Sequence, residues 1–169
     1  ARGALADVFR SIRLSPKPVV ARVNGHALAG GLGVAAACDI VIAVDTAQFG
    51  TPEIGVGLWP MMIGAILQRV MPPRAALELM LTGRRIDAAE AVRLGVVSRA
   101  VTAEQLDAAV AETIDGILAK SAAVVAPGGL LVLASNSTKL AAADLDRAMA
   151  EGAAAVRAEL RIIERVGLP

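Results

Sequence analysis

Pro18-Val19-Val20-Ala21-Arg22-Val23-Asn24-Gly25-His26-Ala27-Leu28-Ala29-Gly30-Gly31-Leu32-Gly33, continued by Ala36-Ala37-Cys38-Asp39-Ile40 and Gln48-Phe49-Gly50-Thr51-Pro52-Glu53, is the stretch that decides the fold. An apolar, β-branched run leads into a glycine-rich loop, and the small residues Gly31 to Cys38 then read as a helix. The first amides of that helix have no carbonyl partner within it, so they suit a developing negative charge. The next loop delivers a carboxylate, Glu53. Such a carboxylate can move a proton on and off carbon while the amides hold an enolate oxygen.

Upstream, Leu5, Val8, Phe9, Ile12 and Arg13 follow a helical spacing, so the sequence is expected to open in mid-element, inside a larger domain. Ser15-Pro16-Lys17-Pro18 makes a rigid approach to a buried strand, Val19 to Val23, and Asp39 to Val44 predicts a second strand. Gln48 to Gly50 reads as a short extended piece, and Thr51-Pro52-Glu53 as the cap and start of one helical turn that Gly55 and Gly57 end. Helices are predicted over Met61 to Val70, over Arg74 to Leu81 with a Thr82-Gly83 stop, and from an Asp87 cap to Leu94. Val96 to Val101 predicts a strand. Thr102 and Gln105 have the spacing of a capping box for a helix to about Lys120, and a long amphipathic helix is expected from about Leu140 to about Val166. Pro127-Gly128-Gly129 and Ser135-Asn136-Ser137 punctuate the region between.

The 169 residues suffice for about one domain, and 56% apolar content with two Phe, one Trp and no Tyr calls for a core of Ala, Val, Leu and Ile. Seventeen basic against sixteen acidic residues give a net charge of +1, with no like-charge run longer than Arg84-Arg85. That balance argues against a nucleic-acid surface or a polybasic membrane anchor. The most apolar stretch, Ala27 to Val44, is interrupted by glycines and Asp39, and Ile117 to Ala134 by Lys120 and Pro127, so neither reads as a membrane span. The single Cys38 provides no disulfide framework; a buried structural thiol in a reducing, cytoplasmic setting is expected.

Gly31-Leu32-Gly33-Val34-Ala35-Ala36 matches the G-x-G-x-x-A dinucleotide pattern, but the spacing counts against it. Seven residues separate Val23 from Gly31, and twelve positions separate Gly33 from Asp45, where a Rossmann turn needs its glycine at the strand end and its acid about 20 residues on. One histidine, one cysteine and no G-x-S-x-G or P-loop motif leave no metal cluster, serine triad or phosphate cradle. His26 either touches a ligand or is a loop histidine with an ordinary hydrogen bond. Trp59, Met61 and Met62 either line an apolar pocket or belong to the core. Glu53 is either a first-turn glutamate favoured by the helix dipole or an acid/base aimed at the Gly30-Gly31 amides.

Lys17-Pro18-Val19-Val20 through Asn24-Gly25, Ala27-Leu28-Ala29-Gly30-Gly31, Cys38-Asp39-Ile40, Ala47-Gln48-Phe49-Gly50, Pro52-Glu53-Ile54, Leu81-Thr82-Gly83, and Ala88-Ala89-Glu90-Ala91 with Leu94-Gly95-Val96-Val97 closely resemble the crotonase family of enoyl-CoA hydratases and isomerases. The resemblance runs from Ala1 to about Ala119. It implies an α/β fold, the crotonase-like β-β-α superhelix (ClpP/crotonase fold), with a partial core over residues 1–119 and a C-terminal helical trimerisation region over 120–169. The family's N-terminal strands, second oxyanion donor and much of its CoA-binding loop have no counterpart before Ala1.

The resemblance implies acyl-CoA thioesters as substrates, no metal or redox cofactor, and a homotrimer or a hexamer of paired trimers, without nucleic-acid or membrane partners. The Gly30 amide matches an oxyanion-hole donor and Glu53 the acid/base glutamate, with Ala29, Gly31, His26, Trp59, Met61 and Met62 as candidate substrate contacts. A Cβ at the donor position would obstruct the thioester oxygen. Hydratases of the family carry a second glutamate where this chain has Gly33, whereas its isomerases commonly use one. Met61-Met62-Ile63-Gly64 replaces the usual glycine-rich segment, which implies a reshaped acyl pocket. The expected activity is hydration of a 2-enoyl-CoA or shift of a 3-enoyl double bond; the alternative is a non-catalytic crotonase-like protein that binds acyl-CoA or only oligomerises.

Overall fold

The computed structural model describes residues 2–124. The chain divides into two units, Ala1–Val110 and Ala111–Pro169. Helix α1 (Arg2–Arg13) precedes strands β1 (Val20–Val23) and β2 (Ala27–Leu28), then α2 (Gly30–Ala37), β3 (Ile40–Val44) and β4 (Gln48–Gly50). A 3-10 turn over Pro52–Val56 leads to α3 (Met61–Val70), α4 (Pro73–Thr82), β5 (Arg85–Asp87), α5 (Ala88–Arg93), β6 (Arg99–Val101) and α6 (Leu106–Val124). The expected helix from Leu140 to Val166, the punctuation at Pro127 and Ser135, and nearly all of the 120–169 region lie outside the described residues.

Two three-stranded sheets organise the first unit, in orders β1-β3-β6 and β2-β4-β5. The first is wholly parallel, with Val20 opposite Ile40 and Val44 opposite Val101. In the second, β2 runs parallel to β4, with Leu28 opposite Gly50, and β5 returns antiparallel. Central β3 is buried from Val41 to Val44, as a strand covered on both faces requires. Both phenylalanines are in the core, Phe9 on α1 and Phe49 on β4; Leu32, Ile42, Leu67, Leu79 and Met80 fill the rest.

Helix α3 holds residue for residue at Met61–Val70, while α4 runs one residue past its expected bounds at each end, Pro73–Thr82 against Arg74 to Leu81. Pro60 and Pro72 bound α3 and start α4, and Gly83, with φ of 64°, caps α4 in the left-handed conformation that favours glycine. The Asp87 side chain accepts from the Glu90 amide at 2.7 Å and caps α5.

Other readings need correction. Val19–Val23 was expected to be buried, but β1 is an edge strand and only partly covered. The strand read over Val96–Val101 shrinks to Arg99–Val101, because Val96 and Val97 turn their amides back to the Ala91 carbonyl and bury their side chains. The Thr102 capping box does not form: the Gln105 amide reaches the Thr102 backbone carbonyl at 3.1 Å, and α6 starts one residue later. The Thr102 hydroxyl instead joins Glu104's own amide in holding the Glu104 carboxyl below its ordinary range. Cys38 is half-buried, its Sγ donating to the Val34 carbonyl at 3.3 Å, and burial followed by the Asp39 charge pushes the thiol up. No helix among the described residues is long and apolar enough to cross a membrane.

Candidate functional site

The second sheet builds the site. Strands β2 and β4 are parallel neighbours, and each hands its chain to a functional loop at the same end: Leu28 leads to Ala29 and Gly30, and its register partner Gly50 leads to Thr51, Pro52 and Glu53. Loops beyond the carboxyl ends of parallel strands are where α/β sheets bind ligands. The Ala29 amide donates to the Gly50 carbonyl at 2.9 Å, which stitches the two loops together at their roots.

Ala29 then adopts φ 52° and ψ −129°, and it is the one non-glycine residue with positive φ among the described residues. A Cβ is costly there, and such strain concentrates at ligand-binding turns. The turn swings directly into α2, whose first internally paired amide is that of Gly33, donating to the Ala29 carbonyl at 3.2 Å. The amides of Gly30, Gly31 and Leu32 meet no backbone acceptor among the described residues. The end of α2 therefore offers unpaired donors beside the root of the Glu53 loop.

Glu53 occupies the second position of the Pro52–Val56 turn, directly after Pro52, as its spacing predicts. Its Oε2 is buried and has no hydrogen-bond partner. Buried carboxylate oxygens are nearly always paired, so this one stands out as unsatisfied. Thr51 does not cap the turn with its side chain; it is fully buried, and its hydroxyl donates to the Leu79 carbonyl of α4 at 2.9 Å.

Gly33 is buried on α2 one turn beyond Gly30. A Cβ built there would collide with Ile63 Cγ2 and would stand 2.5 Å from Phe9 Cζ. The position where a second acid was sought is thus filled by two apolar side chains from α1 and α3. Phe9 and Ile63 escaped the sequence reading as site residues, although a glycine in mid-helix was a signal of close approach.

His26 is exposed and sits at the entering end of β2, with Nδ1 accepting from the Gln48 amide at 3.1 Å. That bond ties the entering end of β2 to the start of β4. His26 and the exposed Gly31 share the lining of an open cavity of about 380 Å³ with Arg22, Asn24, Val34 and Cys38. Glu53, Trp59, Met61 and Met62 lie outside that lining. Trp59 and Met62 keep 44% and 38% of their surface exposed and Met61 keeps 75%, which removes the core reading for all three. Val56, at the end of the Glu53 turn, and Leu58 are exposed as well.

A family profile described as enoyl-CoA hydratase/isomerase matches residues 1–156. A crotonyl-CoA hydratase of Syntrophomonas wolfei is 41% identical over 149 residues, 87% of this chain and 55% of that protein. The mitochondrial enoyl-CoA hydratase domain-containing protein 3 of Rattus norvegicus is 41% identical over 123 residues, 73% of this chain and 41% of its own length. The chain thus spans about half the length of the curated relatives it matches. Among solved structures, human enoyl-CoA hydratase domain-containing protein 3 superposes with a TM-score of 0.67 at 30% identity, covering 90% of this chain and 61% of that one. An enoyl-CoA hydratase of Mycobacterium smegmatis does so with 0.63 at 29%, covering 90% and 60%. The α/β fold with its parallel strands agrees with these matches, and the chain belongs to the enoyl-CoA hydratase/isomerase, or crotonase, family.

Proposed function

We propose that this chain carries the acid/base part of an acyl-CoA site, in which the Gly30 amide polarises the thioester carbonyl and Glu53 moves a proton to and from the acyl chain. The observation that supports this most is the buried, unpartnered Glu53 Oε2 on a loop rooted beside the Gly30 turn. A carboxylate takes the α proton of a 3-enoyl thioester, the electron pair spreads into a dienolate whose oxygen the Gly30 amide holds, and the same carboxyl returns the proton to the γ carbon. One group serves both transfers, and nothing is consumed. A positioned oxyanion donor contributes roughly 3 kcal/mol to such a step, and a positioned carboxylate about a hundredfold to ten-thousandfold.

Double-bond isomerisation is favoured over hydration because Gly33, sealed by Phe9 and Ile63, has no room for a side chain that would hold an attacking water. Ala29 and Gly31 border the thioester, His26 and Gly31 line its approach, and Trp59, Met61 and Met62 contact the acyl chain. The β-β-α superhelix, a trimer or paired trimers built through residues 120–169, and a cytoplasmic setting complete the reading, although one relative is named as mitochondrial.

The test is an absorbance assay of the full-length protein on a 2-enoyl-CoA and a 3-enoyl-CoA side by side, with Glu53→Gln as control. Growth of the conjugated-thioester band from the 3-enoyl substrate, abolished in Glu53→Gln, is expected. Loss of that band from the 2-enoyl substrate would establish hydration instead. Silence in both with retained acyl-CoA binding would support a binding protein, and unchanged turnover in Glu53→Gln would remove the assignment.

A further inference from the structure

The turn that carries Glu53 is closed on itself by the Leu58 amide on the Glu53 carbonyl and the Gly57 amide on the Ile54 carbonyl, both at 3.0 Å. These bonds do not tie it to the rest of the fold. None of its five residues, Pro52 to Val56, is buried, and Gly55, Val56, Gly57 and Leu58 are exposed. A short 3-10 turn has weak internal bonding and ordinarily frays. Glu53 Oε2 has no hydrogen bond to aim it either. Yet proton transfer to carbon tolerates little misplacement, so something outside the turn must set its orientation.

Two contacts with the end of α4 bracket Glu53. Two residues before it, the fully buried Thr51 donates its hydroxyl to the Leu79 carbonyl at 2.9 Å. One residue after it, Ile54 lies so close to Gly83 that a Cβ built on the glycine would stand 2.6 Å from Ile54 Cγ2. The seat itself is rigid. Leu79 carbonyl also accepts the Gly83 amide at 3.0 Å, and Arg84, next in sequence, is gripped by Glu78 and Glu90, each at 2.8 Å.

The Leu79 carbonyl is informative because the Gly83 amide already satisfies it. Stability therefore does not require the Thr51 hydroxyl at that carbonyl; a side chain of the same shape without the oxygen would bury no unpaired group. A hydroxyl adds what shape alone does not, a directed bond fixing the backbone two residues ahead of the carboxylate. We infer that Thr51 is a positioning residue for Glu53, holding the turn against the end of α4 by its hydroxyl, with Ile54 against Gly83 as the second point of the clamp. This rests on the acid/base reading of Glu53.

The experiment compares Thr51→Val, Thr51→Ser and Glu53→Gln in the full-length protein, measuring kcat, KM and thermal midpoint with the enoyl-CoA that wild type turns over. Thr51→Val is expected to lower kcat by about tenfold or more while KM stays within about threefold and the midpoint within a few degrees. Thr51→Ser is expected to recover most of the lost kcat, which a merely structural role would not produce without a parallel recovery of stability. If Thr51→Val does not fold, Ile54→Ala opens the other contact and is expected to show the same kcat loss. Full kcat in the folded Thr51 or Ile54 variant, with Glu53→Gln inactive, overturns the clamp alone. An active Glu53→Gln overturns the acid/base reading beneath it.

Discussion

Gly33→Ala is expected to destabilise the protein, although glycine to alanine inside a helix ordinarily stabilises by about 1 kcal/mol. The added Cβ would collide with Ile63 Cγ2 and approach Phe9 Cζ to 2.5 Å. Phe9 and Ile63 are only 6% and 3% exposed, so neither has solvent to swing into. Overpacking of this kind costs about 1–3 kcal/mol, and with two neighbours to displace the cost lies above the low end of that range, leaving a net loss of up to about 2 kcal/mol. Urea titration of the full-length protein reads this as a lower midpoint at unchanged slope. Ile63→Ala alone should cost about 2–5 kcal/mol, but combined with Gly33→Ala the sum should fall short by about 1 kcal/mol or more, because the new methyl occupies the space vacated. A midpoint at or above wild type for Gly33→Ala, or strict additivity in the pair, refutes the packing argument. By the same geometry, Gly33→Glu would have to bury a carboxylate between two hydrocarbon surfaces, so it is not a route to water activation.

Ala29→Gly should raise the thermal midpoint, since relief of the strained φ of 52° is worth about 1–3 kcal/mol against about 0.4–1 kcal/mol for a looser unfolded chain; an unchanged or lower midpoint would show that Ala29 is not strained. The Glu90 carboxyl is held below its ordinary range, first by the hydrogen bond from Arg84 and then by that residue's charge. A lowered folded-state value means the pair stabilises the protein above the ordinary glutamate range and is lost as pH falls through the lowered value. Urea midpoints of wild type and Glu90→Gln should therefore differ at neutral pH and converge as the pH falls below the ordinary glutamate range; a gap independent of pH would refute it.

What could be read from the residues alone depended on how local the cause was. Helix α3 was legible to the residue because Pro60 and Pro72 punctuate it, and the Asp87 cap because its partner is three residues away. Strands β2 and β5 were not, being two and three residues long with no alternation to betray them. They exist because β4 pairs with both, and the close passage of Gly50 under Arg84 and Arg85 is a fact of tertiary packing. The turn of Glu53 was legible from Pro52, but its acid/base role came only from the family resemblance, and Thr51 was read as a local cap although its bond to Leu79 spans 28 residues. Likewise Gly33 was read as the position of a missing acid and not as a close approach of Phe9 and Ile63, which come to it from α1 and α3.

The pairing of Leu28 with Gly50 has an architectural consequence. Everything before that rung must keep its length, because a one-residue insertion in either strand would turn the whole following segment to the other face of the sheet. Directly after it the chain leaves the sheet at Ala29 and Thr51, so a change of length there does not shift the β2–β4 ladder. The rung is therefore a natural splice line: the turns that leave Leu28 and Gly50 can be varied without moving β2 against β4.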